Sequence, residues 1–410
     1  MKALVFGVTP EDVPAPPPDA PRLLQNLAAT PMALQDVDEP KLFGPDWTVL
    51  RTRLTGICGS DAKQALLDFD AEAGDNPMSA FISFPQVMGH EVVGTVDQAG
   101  PEAELEPGQR VVLNPWLSCA PRGISPVCPA CEDGAYNLCW NFNDGRITAG
   151  IHTGNSSDAS GGFADLLPAH KLMAIPVPDA IPDEIAVLAD PFAVSLHAVT
   201  RNPPPKGGRV LVYGAGALGT TSGAILAALY PSVEVGVVAR FPQQAALAEK
   251  RGLKVFAPEP RLDLIEALAE WSGGVLRRPW AGLPTCHPGR IDVIYDTVGS
   301  PETVEVGIRV LRERGTLVQM GVSSPARFEW TPWYFKELRL IGSNAFGVEE
   351  VDGVRKHGIA HYLDLVQDGR IDLDGMLTHT FRLEQWRDAL AACADQGSSG
   401  ALKVAFDFRG

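Results

Sequence analysis

Residues 209–229, RVLVYGAGALGTTSGAILAAL, combine a short buried-strand pattern, a glycine-rich turn and a helix rich in small residues. The turn carries Gly214, Gly216 and Gly219 in the spacing G-x-G-x-x-G. Glycine there permits a tight turn, lets the backbone approach a pyrophosphate and lets the helix pack against the strand. The helix N-terminus adds partial positive charge and free N–H groups for phosphates. The stretch predicts a dinucleotide-binding βα unit, against the alternative of a purely structural glycine-rich turn.

Strand and helix patterns alternate downstream of this unit. The strand-like segments are VEVGVVAR, KVFA, IDVIYDTVG and TLVQMGV, and the helix-like segments are PQQAALAEKRG, LDLIEALAEW and PETVEVGIRVLRERG. Strands that alternate with helices of this length predict a parallel sheet with helices on both faces. Residues 273–290 break the alternation, and we expect them to form a surface insertion.

The first 175 residues contain short β-like runs separated by Gly and Pro, among them WTVLRTRL, HEVVGTVDQ and QRVVLNP. This pattern predicts an irregular, barrel-like, mainly β domain. The last segment holds a helix pattern, LEQWRDALAACA, and a closing strand pattern, ALKVAFDF, which we expect to complete the first domain. The length of 410 residues suggests two domains. We therefore expect an α/β chain with a mainly β domain over 1–175 and 345–410 and a doubly wound parallel-sheet domain over 176–344.

The composition argues against two classes of partner. A net charge of −16 disfavours nucleic-acid binding, which needs a basic surface. No run of about eighteen apolar residues is present, so no membrane span is expected. The N-terminal MKALVFGVTPEDVPAPPP is a poor signal peptide and a plausible first strand. The expected location is the cytoplasm.

The end of the second strand pattern in the dinucleotide-binding unit bears on the choice of cofactor. NAD-specific sites carry an acid there for the ribose hydroxyls, whereas this chain has Ala239 and Arg240. Without a carboxylate the 2′-phosphate of NADP is not repelled, and Arg240 can pair with it bidentately. The alternative is a surface arginine with NAD held by other contacts. We expect NADP(H) to be favoured over NAD(H). The expected cofactor contacts are Gly214, Ala215, Gly216, Ala217, Leu218, Gly219, Ala239, Arg240 and Val298.

Four of the seven cysteines lie in one Pro/Gly-rich loop with the spacing C-x8-C-x2-C-x7-C, namely Cys119, Cys128, Cys131 and Cys139. Four thiolates in a short loop can close a tetrahedral zinc site without an open position, which is a structural arrangement. In a reducing compartment such clustering favours metal binding over disulfides. Free thiols clustered by chance and a redox-active cysteine pair are the alternatives. The long first interval, APRGISPV, weakens the assignment of Cys119.

A second group of potential ligands is dispersed along the chain. Cys58 lies in TGICGSD, His90 and Glu91 lie in MGHEVVGTV, and Asp190 lies in VLADPFAVSLHAV. From the residues alone each has an ordinary explanation. Cys58 can be a buried apolar residue, and His90 can be a hydrogen-bonded core histidine. Asp190 can cap a helix that begins at Pro191. At this point a shared metal site is one of two open interpretations.

The order of these motifs resembles that of the zinc-containing medium-chain dehydrogenase/reductase superfamily, to which alcohol, polyol and threonine dehydrogenases belong. The motifs are CGSD, GHE followed by VVG, the four-cysteine loop, the later GxGxxG, and then DTVG, MGV, GSNAFG and KVAFDF. The resemblance covers nearly the whole chain. It implies a GroES-like substrate and zinc domain formed by both ends of the chain and a Rossmann domain between them.

The resemblance also implies roles for individual residues. Cys58 and His90 fall on two ligands of a catalytic zinc, and Asp190 falls where relatives carry Cys or Glu as the third ligand. Glu91 matches an acid behind the metal that can enter its coordination shell in some members. Ser60 matches the hydroxyl that passes on the proton of the substrate. The loop cysteines match a structural zinc, which gives two Zn²⁺ per chain.

The implied activity is hydride transfer between NADP(H) or NAD(H) and an alcohol or polyol, or the corresponding aldehyde or ketone. Relatives form homodimers or homotetramers. This chain departs from the family pattern at Lys63, where relatives often carry a proton-relay histidine, in the missing acidic discriminator, and in a long stretch between Asp61 and His90. Two other functions stay open, namely a zinc-free quinone or enoyl reductase of the same superfamily and a non-catalytic NADPH-binding or redox-sensing protein.

Overall fold

The computed structural model describes residues 1–11, 13, 16–68, 77–323 and 327–410. Part of the long stretch between Asp61 and His90 therefore lies outside the described residues. Among the described residues the structure contains twenty strands. They are β1 (Lys2–Phe6), β2 (Met32–Asp36), β3 (Trp47–Gly56), β4 (Gln86–Val87), β5 (Glu91–Ala99), β6 (Arg110–Leu113), β7 (Leu166–His170), β8 (Ala174–Pro176), β9 (Arg209–Tyr213), β10 (Glu234–Val238), β11 (Lys254–Phe256), β12 (Leu276–Arg277), β13 (Thr285–Cys286), β14 (Ile291–Asp296), β15 (Leu311–Gln319), β16 (Arg339–Gly342), β17 (Val348–Val351), β18 (Val354–His357), β19 (Leu377–Phe381) and β20 (Lys403–Asp407).

The described parts of the chain also contain thirteen α-helices and three short 3₁₀ turns. The helices are α1 (Arg22–Ala29), α2 (Gly59–Ala65), α3 (Pro129–Glu132), α4 (Asp183–Ala186), α5 (Ala189–Arg201), α6 (Ala217–Leu229), α7 (Pro242–Lys250), α8 (Arg261–Ser272), α9 (Pro301–Val310), α10 (Thr331–Phe335), α11 (Gly358–Gln367), α12 (Trp386–Ala394) and α13 (Gln396–Ser399). The 3₁₀ turns are Pro77–Phe81, Tyr136–Leu138 and Leu383–Gln385. None of these described helices combines the length and the apolar character that a membrane crossing requires.

The chain divides into two compact units. Unit 1 consists of Met1–Asp190, Ile359–Gln367 and Asp374–Gly410, and unit 2 consists of Pro191–Gly358 and Asp368–Leu373. The two main boundaries thus fall after residues 190 and 358, whereas the sequence expectation placed them after residues 175 and 344. The β17–β18 hairpin follows the parallel sheet of unit 2 and remains in that unit, and this moves the second boundary downstream.

Unit 1 is built around strand β3. This strand pairs antiparallel with β5, β7 and β20, inside a sheet with the order β19-β20-β3-β5-β6-β8. A second sheet has the order β2-β1-β4. Trp47 and Leu50 of β3 pack with Val92 and Val96 of β5 in one core cluster, so the apolar residues that mark these strands in the sequence are the ones that bury them. The mainly β architecture predicted for this part of the chain is confirmed.

Unit 2 contains a six-stranded sheet with the order β11-β10-β9-β14-β15-β16, and every neighbouring pair in it is parallel. Its central strands are nearly continuous apolar runs because a parallel sheet is covered on both faces. Leu211 of β9, Ile294 of β14 and Leu317 of β15 pack with Ile265 of α8 in one cluster. The strand order reverses between β9 and β14, which is the position where doubly wound sheets bind ligands. The predicted doubly wound sheet is confirmed.

One predicted helix ends earlier than expected. The segment PETVEVGIRVLRERG was predicted to be helical throughout, but α9 ends at Val310 and the chain continues as β15 from Leu311. Arg314 has a φ of 58°, which no right-handed helix can include. The Nζ of Lys336 donates to the carbonyls of Arg309 and Leu311, so the carbonyls released at this helix end are hydrogen-bonded.

Residues 273–290 form the short antiparallel hairpin β12–β13. Trp280 is fully exposed on the connection between the two strands, whereas Cys286 of β13 is buried in the core cluster of unit 2. The segment that breaks the βα alternation is thus anchored at its base and exposed at its tip.

Candidate active site

The sheet of unit 1 brings together ligands that lie far apart in the sequence. Strand β3 ends at Gly56, and Cys58 follows as the residue that precedes α2. Strand β5 begins at Glu91, which is paired with Gly56 in the antiparallel register. His90 directly precedes β5. The ligand atoms of Cys58, His90 and Glu91 consequently all lie within 4.8 Å of one another.

Strand β20 adds a cation to this cluster. It lies on the other side of β3, with Ala405 opposite Gly56, and it carries Lys403. Lys403 is buried, forms an ion pair with Glu91 and donates to the carbonyl of Ile57 at 3.1 Å. A buried carboxylate needs such a partner because it has lost its hydration. The sequence interpretation missed Lys403, although a lysine inside the apolar strand pattern ALKVAFDF is a signal for a buried pair.

Asp61 is a second buried carboxylate beside the ligands. Its Oδ2 accepts from the backbone N–H of Cys58 at 3.1 Å, and its Oδ1 lies 3.5 Å from the Nδ1 of His90. Burial lowers the pKa of His90, but the charges of Asp61 and Cys58 outweigh it, so the pKa is raised well above 6.5. Burial likewise raises the pKa of Asp61, and the charge of His90 reverses this shift to a net lowering. Asp61 thus places a buried negative charge beside the imidazole, and it was assigned no role from the sequence.

Asp190, the expected third ligand, is not a member of the 4.8 Å group, in which Glu91 is the third residue. Asp190 is buried, and burial raises its pKa to about 7. The charges of His90 and Lys403 lower the pKa of Asp190, and the charges of Glu91 and Asp61 raise it further. The Oδ2 of Asp190 has no hydrogen-bond partner among the described residues. A buried, unsatisfied carboxylate oxygen that senses the charges of His90 and Glu91 fits a cation site of the zinc type.

Two further predicted residues lie on helix α2. Ser60 is exposed in the first turn of the helix, two residues after Cys58. Lys63 is half-buried one turn later. Because residues three apart lie on the same side of a helix, Ser60 and Lys63 project in similar directions.

His152 is a neighbour of the ligands that was not singled out in the sequence. Its ring centroid lies 4.5 Å from that of His90, with an angle of 48° between the ring planes. The Nδ1 of His152 is 2.7 Å from the carbonyl oxygen of Thr153, and its Nε2 is 3.1 Å from the side-chain nitrogen of Asn155. A carbonyl only accepts, so Nδ1 carries the proton and Nε2 accepts from the amide. Burial, together with the charge of His90, lowers the pKa of His152 to about 4.

The four loop cysteines form the second cluster. They are buried, and their sulfur atoms all lie within 4.8 Å of one another. Cys119 Sγ accepts from the backbone N–H of Cys128 at 3.3 Å and from the side-chain amide of Asn141 at 3.1 Å. A hydrogen bond from Cys131 lowers the pKa of Cys139 to about 5. The lowered pKa of Cys139 favours its thiolate, the form that binds metal, whereas burial raises the pKa of Cys119.

Arg122 lies in the long interval between the first two loop cysteines. Its side chain is buried, and its guanidinium nitrogens donate to five backbone carbonyls. The acceptors are Leu117 (2.8 Å), Asp144 (2.9 Å), Ile147 (2.8 Å), Thr148 (3.1 Å) and Gly150 (2.7 Å). Residues 120–127, the long interval that weakened the assignment of Cys119 in the sequence, therefore contain a buried arginine that holds the loop together.

The glycine-rich turn of unit 2 lies between β9 and α6. Gly214 has a φ of 96°, and a Cβ there would lie 2.6 Å from both Thr297 Oγ1 and Val298 Cγ2. A Cβ on Gly219 would collide with the carbonyl of Gly214, whereas one on Gly216 would meet nothing within 4 Å. The first glycine thus permits the turn and the third permits close packing of helix and strand. The second leaves open space in front of the N-terminus of α6.

At the end of β10, Ala239 is buried and Arg240 is exposed. The guanidinium of Arg240 lies 5.3 Å from the centre of the Phe241 ring. Because β9 and β10 are parallel neighbours, Arg240 follows the strand adjacent to the one that leads into the glycine turn. Val298, the last expected cofactor contact, is 42% exposed and lies after the next neighbour, β14.

Two family models match the chain, the alcohol dehydrogenase GroES-like domain over residues 44–179 and the zinc-binding dehydrogenase domain over residues 217–357. The chain is 30% identical over 374 residues to an L-threonine 3-dehydrogenase of Chelativorans sp. (strain BNC1), with 89% of this chain and 92% of the relative covered. It is 28% identical over 379 residues to the (R,R)-butanediol dehydrogenase of Saccharomyces cerevisiae, with 89% and 92% covered.

The fold is shared with solved structures. An alcohol dehydrogenase, RspB, of Escherichia coli CFT073 in complex with NADH superposes with a TM-score of 0.73 at 22% identity, over 100% of this chain and 99% of the other. Both matched domains, the two metal-type clusters and the glycine turn occur in the order that the resemblance implies. The chain therefore belongs to the zinc-type medium-chain dehydrogenase/reductase superfamily, and it is an oxidoreductase of the alcohol dehydrogenase type.

Proposed function

We propose that the chain transfers a hydride between NADP(H) and an alcohol or polyol, at a catalytic zinc held by Cys58, His90 and a carboxylate. The observation that carries this proposal is the convergence of Cys58, His90 and Glu91 within 4.8 Å. The relatives support the substrate class, since butanediol and threonine both carry a hydroxyl next to a second polar group. A second zinc is proposed for the loop cysteines.

The charges around the cluster support a divalent cation. Asp61, Glu91 and Asp190 bring three buried carboxyl groups to the cluster beside Cys58, and Lys403 is the cation that pairs with Glu91. Buried anions of this number require further positive charge. Because Glu91 is anchored by Lys403 whereas Asp190 Oδ2 has no hydrogen-bond partner in the described part of the chain, Asp190 is the proposed third ligand. Glu91, paired with Lys403, would remain available as a further carboxylate ligand.

Zinc held by these residues would act as a Lewis acid on the oxygen of the substrate and make its hydroxyl easier to deprotonate. Ser60 is the proposed acceptor of that proton, since it is exposed two residues from Cys58. Lys63, on the same side of α2, stands where relatives often have a relay histidine. We therefore propose that the proton leaves along this side of the helix.

Metal analysis together with a cysteine variant tests the catalytic site. We expect two zinc ions per chain, and we expect Cys58→Ala to retain one and to lower kcat about 100-fold or more, since the metal supplies several kcal/mol of stabilisation in the transition state. Cys286→Ala removes another buried cysteine, in unit 2, and serves as the control with unchanged kcat. An unaltered kcat in Cys58→Ala would overturn the proposal.

The zinc content also separates the alternatives. A single zinc per chain would indicate that the cysteine loop alone is filled, and no zinc would favour the zinc-free reductase. If two zinc ions are present but a panel of alcohols, polyols and aldehydes causes no change in NADPH absorbance, the non-catalytic, NADPH-binding alternative gains support.

For the cofactor, we propose that the pyrophosphate binds at the turn from Gly214 to Gly219, at the N-terminus of α6, and that Arg240 binds the 2′-phosphate. The exposure of Arg240 and the absence of an acid after β10 support this preference. Arg240→Ala should raise the KM for NADP about tenfold, the value of one charge-assisted hydrogen bond, and leave the KM for NAD nearly unchanged. Arg339→Ala, at an exposed position of the same sheet, is the control. Equal effects on both cofactors would contradict the phosphate contact.

Two broader expectations rest on the family alone. We propose a homodimer or homotetramer, which light scattering of the purified protein tests directly. We also propose that the protein acts in the cytoplasm, which cell fractionation tests.

A further inference from the structure

The ring of His152 lies against the ring of His90, and His152 has no part in the proposed function. The two centroids are 4.5 Å apart, and His152 is in turn 6.2 Å from the ring of Trp116. Stacked or tilted aromatic rings at this separation attract each other and restrict each other's rotation. The ring of His152 therefore limits how the imidazole plane of His90, a proposed metal ligand, can turn.

Both ring nitrogens of His152 are already engaged. Nδ1 donates to the carbonyl of Thr153, and Nε2 accepts from the amide of Asn155. The same Asn155 accepts the backbone N–H of His152 with its Oδ1 at 3.0 Å. No lone pair of His152 is left for a metal or a substrate, so its contribution comes from the face of a ring held on two edges.

The segment that carries His152 is bonded to the residues that directly precede His90. The backbone N–H groups of three residues donate to three successive carbonyls of that stretch. These bonds are Gly161 to Val87 (2.7 Å), Phe163 to Met88 (2.9 Å) and Gly162 to Gly89 (2.8 Å). Gly89 has a φ of 92° and packs on the ring of Phe163 with no room for a Cβ. Residues 161–163 are thus bonded to the stretch before His90, and the hydrogen bond from the N–H of Gly154 to the carbonyl of Ala159 (3.1 Å) closes the loop between them and His152.

We infer that His152 is a positioning residue for the catalytic metal, which fixes the plane of the His90 imidazole through ring contact. The inference rests on the proposed zinc site at Cys58 and His90. Asp61 faces the Nδ1 of His90 at 3.5 Å, a distance too long to hold the ring alone. His152 provides the second restraint, on the face of the ring. Asn155 holds His152 in turn.

The test measures cobalt binding rather than turnover. The metal-free protein is titrated with Co²⁺ in competition with a chelator, and the absorption bands of cobalt at the two sites are followed. The cysteine loop of the same molecule serves as the internal reference. His152→Ala should weaken binding at the Cys58 and His90 site about 10- to 100-fold, the usual cost of losing a group that orients a ligand, and should shift its visible bands. Binding at the loop should not change.

Two variants separate ring contact from simple loss of packing. His152→Phe keeps the ring face and should restore most of the cobalt affinity and the original bands. His170→Ala removes another buried histidine of unit 1, one that pairs with Asp46 and contacts Trp47. Its cobalt affinity should equal that of the wild-type protein. If His152→Ala folds poorly, Asn155→Ala loosens the same ring without removing it and should give a smaller shift in the same direction.

Wild-type affinity and bands in His152→Ala would overturn the inference, and so would an equal loss of affinity in His170→Ala. Failure of His152→Phe to restore binding would also contradict it, because the ring face would then not be the restraint. The proposed function fails in a different way, namely when the wild-type protein itself takes up cobalt at the cysteine loop alone.

Discussion

The two metal-type clusters of unit 1 use opposite strategies. The cysteine loop draws its four donors from one short segment, Cys119 to Cys139, and hydrogen-bonds them with the backbone N–H of Cys128 and with the backbone and side-chain amides of Asn141, two residues beyond it. The cluster at Cys58 and His90 draws its groups from three strands and two helix starts and includes a buried ion pair with Lys403. The loop offers four thiols, the donor set of a closed structural site, whereas the dispersed cluster mixes donor types and includes a carboxylate oxygen of Asp190 with no hydrogen-bond partner among the described residues, as expected for the proposed catalytic site.

The two clusters should therefore respond differently to the loss of a donor side chain. Loss of a loop donor should affect folding, because a structural metal contributes its binding energy to the folded state. Loss of a donor in the dispersed cluster should affect chemistry first, because strand pairing holds that region together without the metal.

The largest effect is expected from Cys131→Ser. The free energy of binding of a structural zinc is on the order of 10 kcal/mol, so its loss should exceed what a domain can tolerate. We expect a strongly lowered Tm in calorimetry and rapid cleavage in limited proteolysis. Cys58→Ala, by contrast, should keep a Tm close to that of the wild type. Similar Tm values for both variants would remove the distinction between the clusters.

A smaller effect is expected from Lys403→Met. This change leaves the carboxylate of Glu91 buried without its cation and should lower the free energy of unfolding by about 3–5 kcal/mol. Urea denaturation measures the loss. The double variant Lys403→Met/Glu91→Gln removes the unpaired charge and should recover part of the stability. If the double variant is no more stable than the single one, the ion pair does not balance the buried charge.

The smallest of the three effects is expected from Arg122→Met. Five carbonyls lose their donor, of which those of Asp144 and Thr148 lie in part-buried hydrogen bonds that water can replace, so we expect a loss of about 1–3 kcal/mol, the cost of unsatisfied buried groups. Zinc should leave the cysteine loop faster, as followed with a colorimetric chelator, and the site at Cys58 should keep its metal. Arg51→Met, which breaks an exposed ion pair with Asp97, is the control. Unchanged release from the loop would show that Arg122 does not support it.

Much of the fold follows from local patterns in the sequence. The glycine turn, the apolar strands and the alternation of strands and helices predict the parallel sheet, and the four-cysteine spacing predicts a cluster that the structure assembles. The end of α9 was missed because LRERG has helical composition, whereas its conformation is set by pairing with β14 and by the positive φ of Arg314. Local propensity yields to tertiary pairing at such points.

The candidate site was only partly predictable. Motifs identify Cys58, His90 and Glu91, but which carboxylate approaches the ligands depends on the register of β3 and β5, which motifs do not contain. Lys403 and His152 act through contacts between segments distant in the sequence, one across a sheet and one through a loop. Neither has a local signature beyond a polar residue in an apolar or glycine-rich stretch.

Gly56 shows how a residue without a side chain can control the reactive centre. It lies opposite Glu91 of β5 on one side and Ala405 of β20 on the other, and a single added methyl group would collide with the Glu91 carboxylate and touch the side chain of Lys403. In a saturation mutagenesis screen for growth or turnover, position 56 should therefore tolerate as little variation as the ligands themselves. A choice of positions by their distance from the substrate would omit Gly56, because Gly56 acts only by leaving room for the side chains of Glu91 and Lys403.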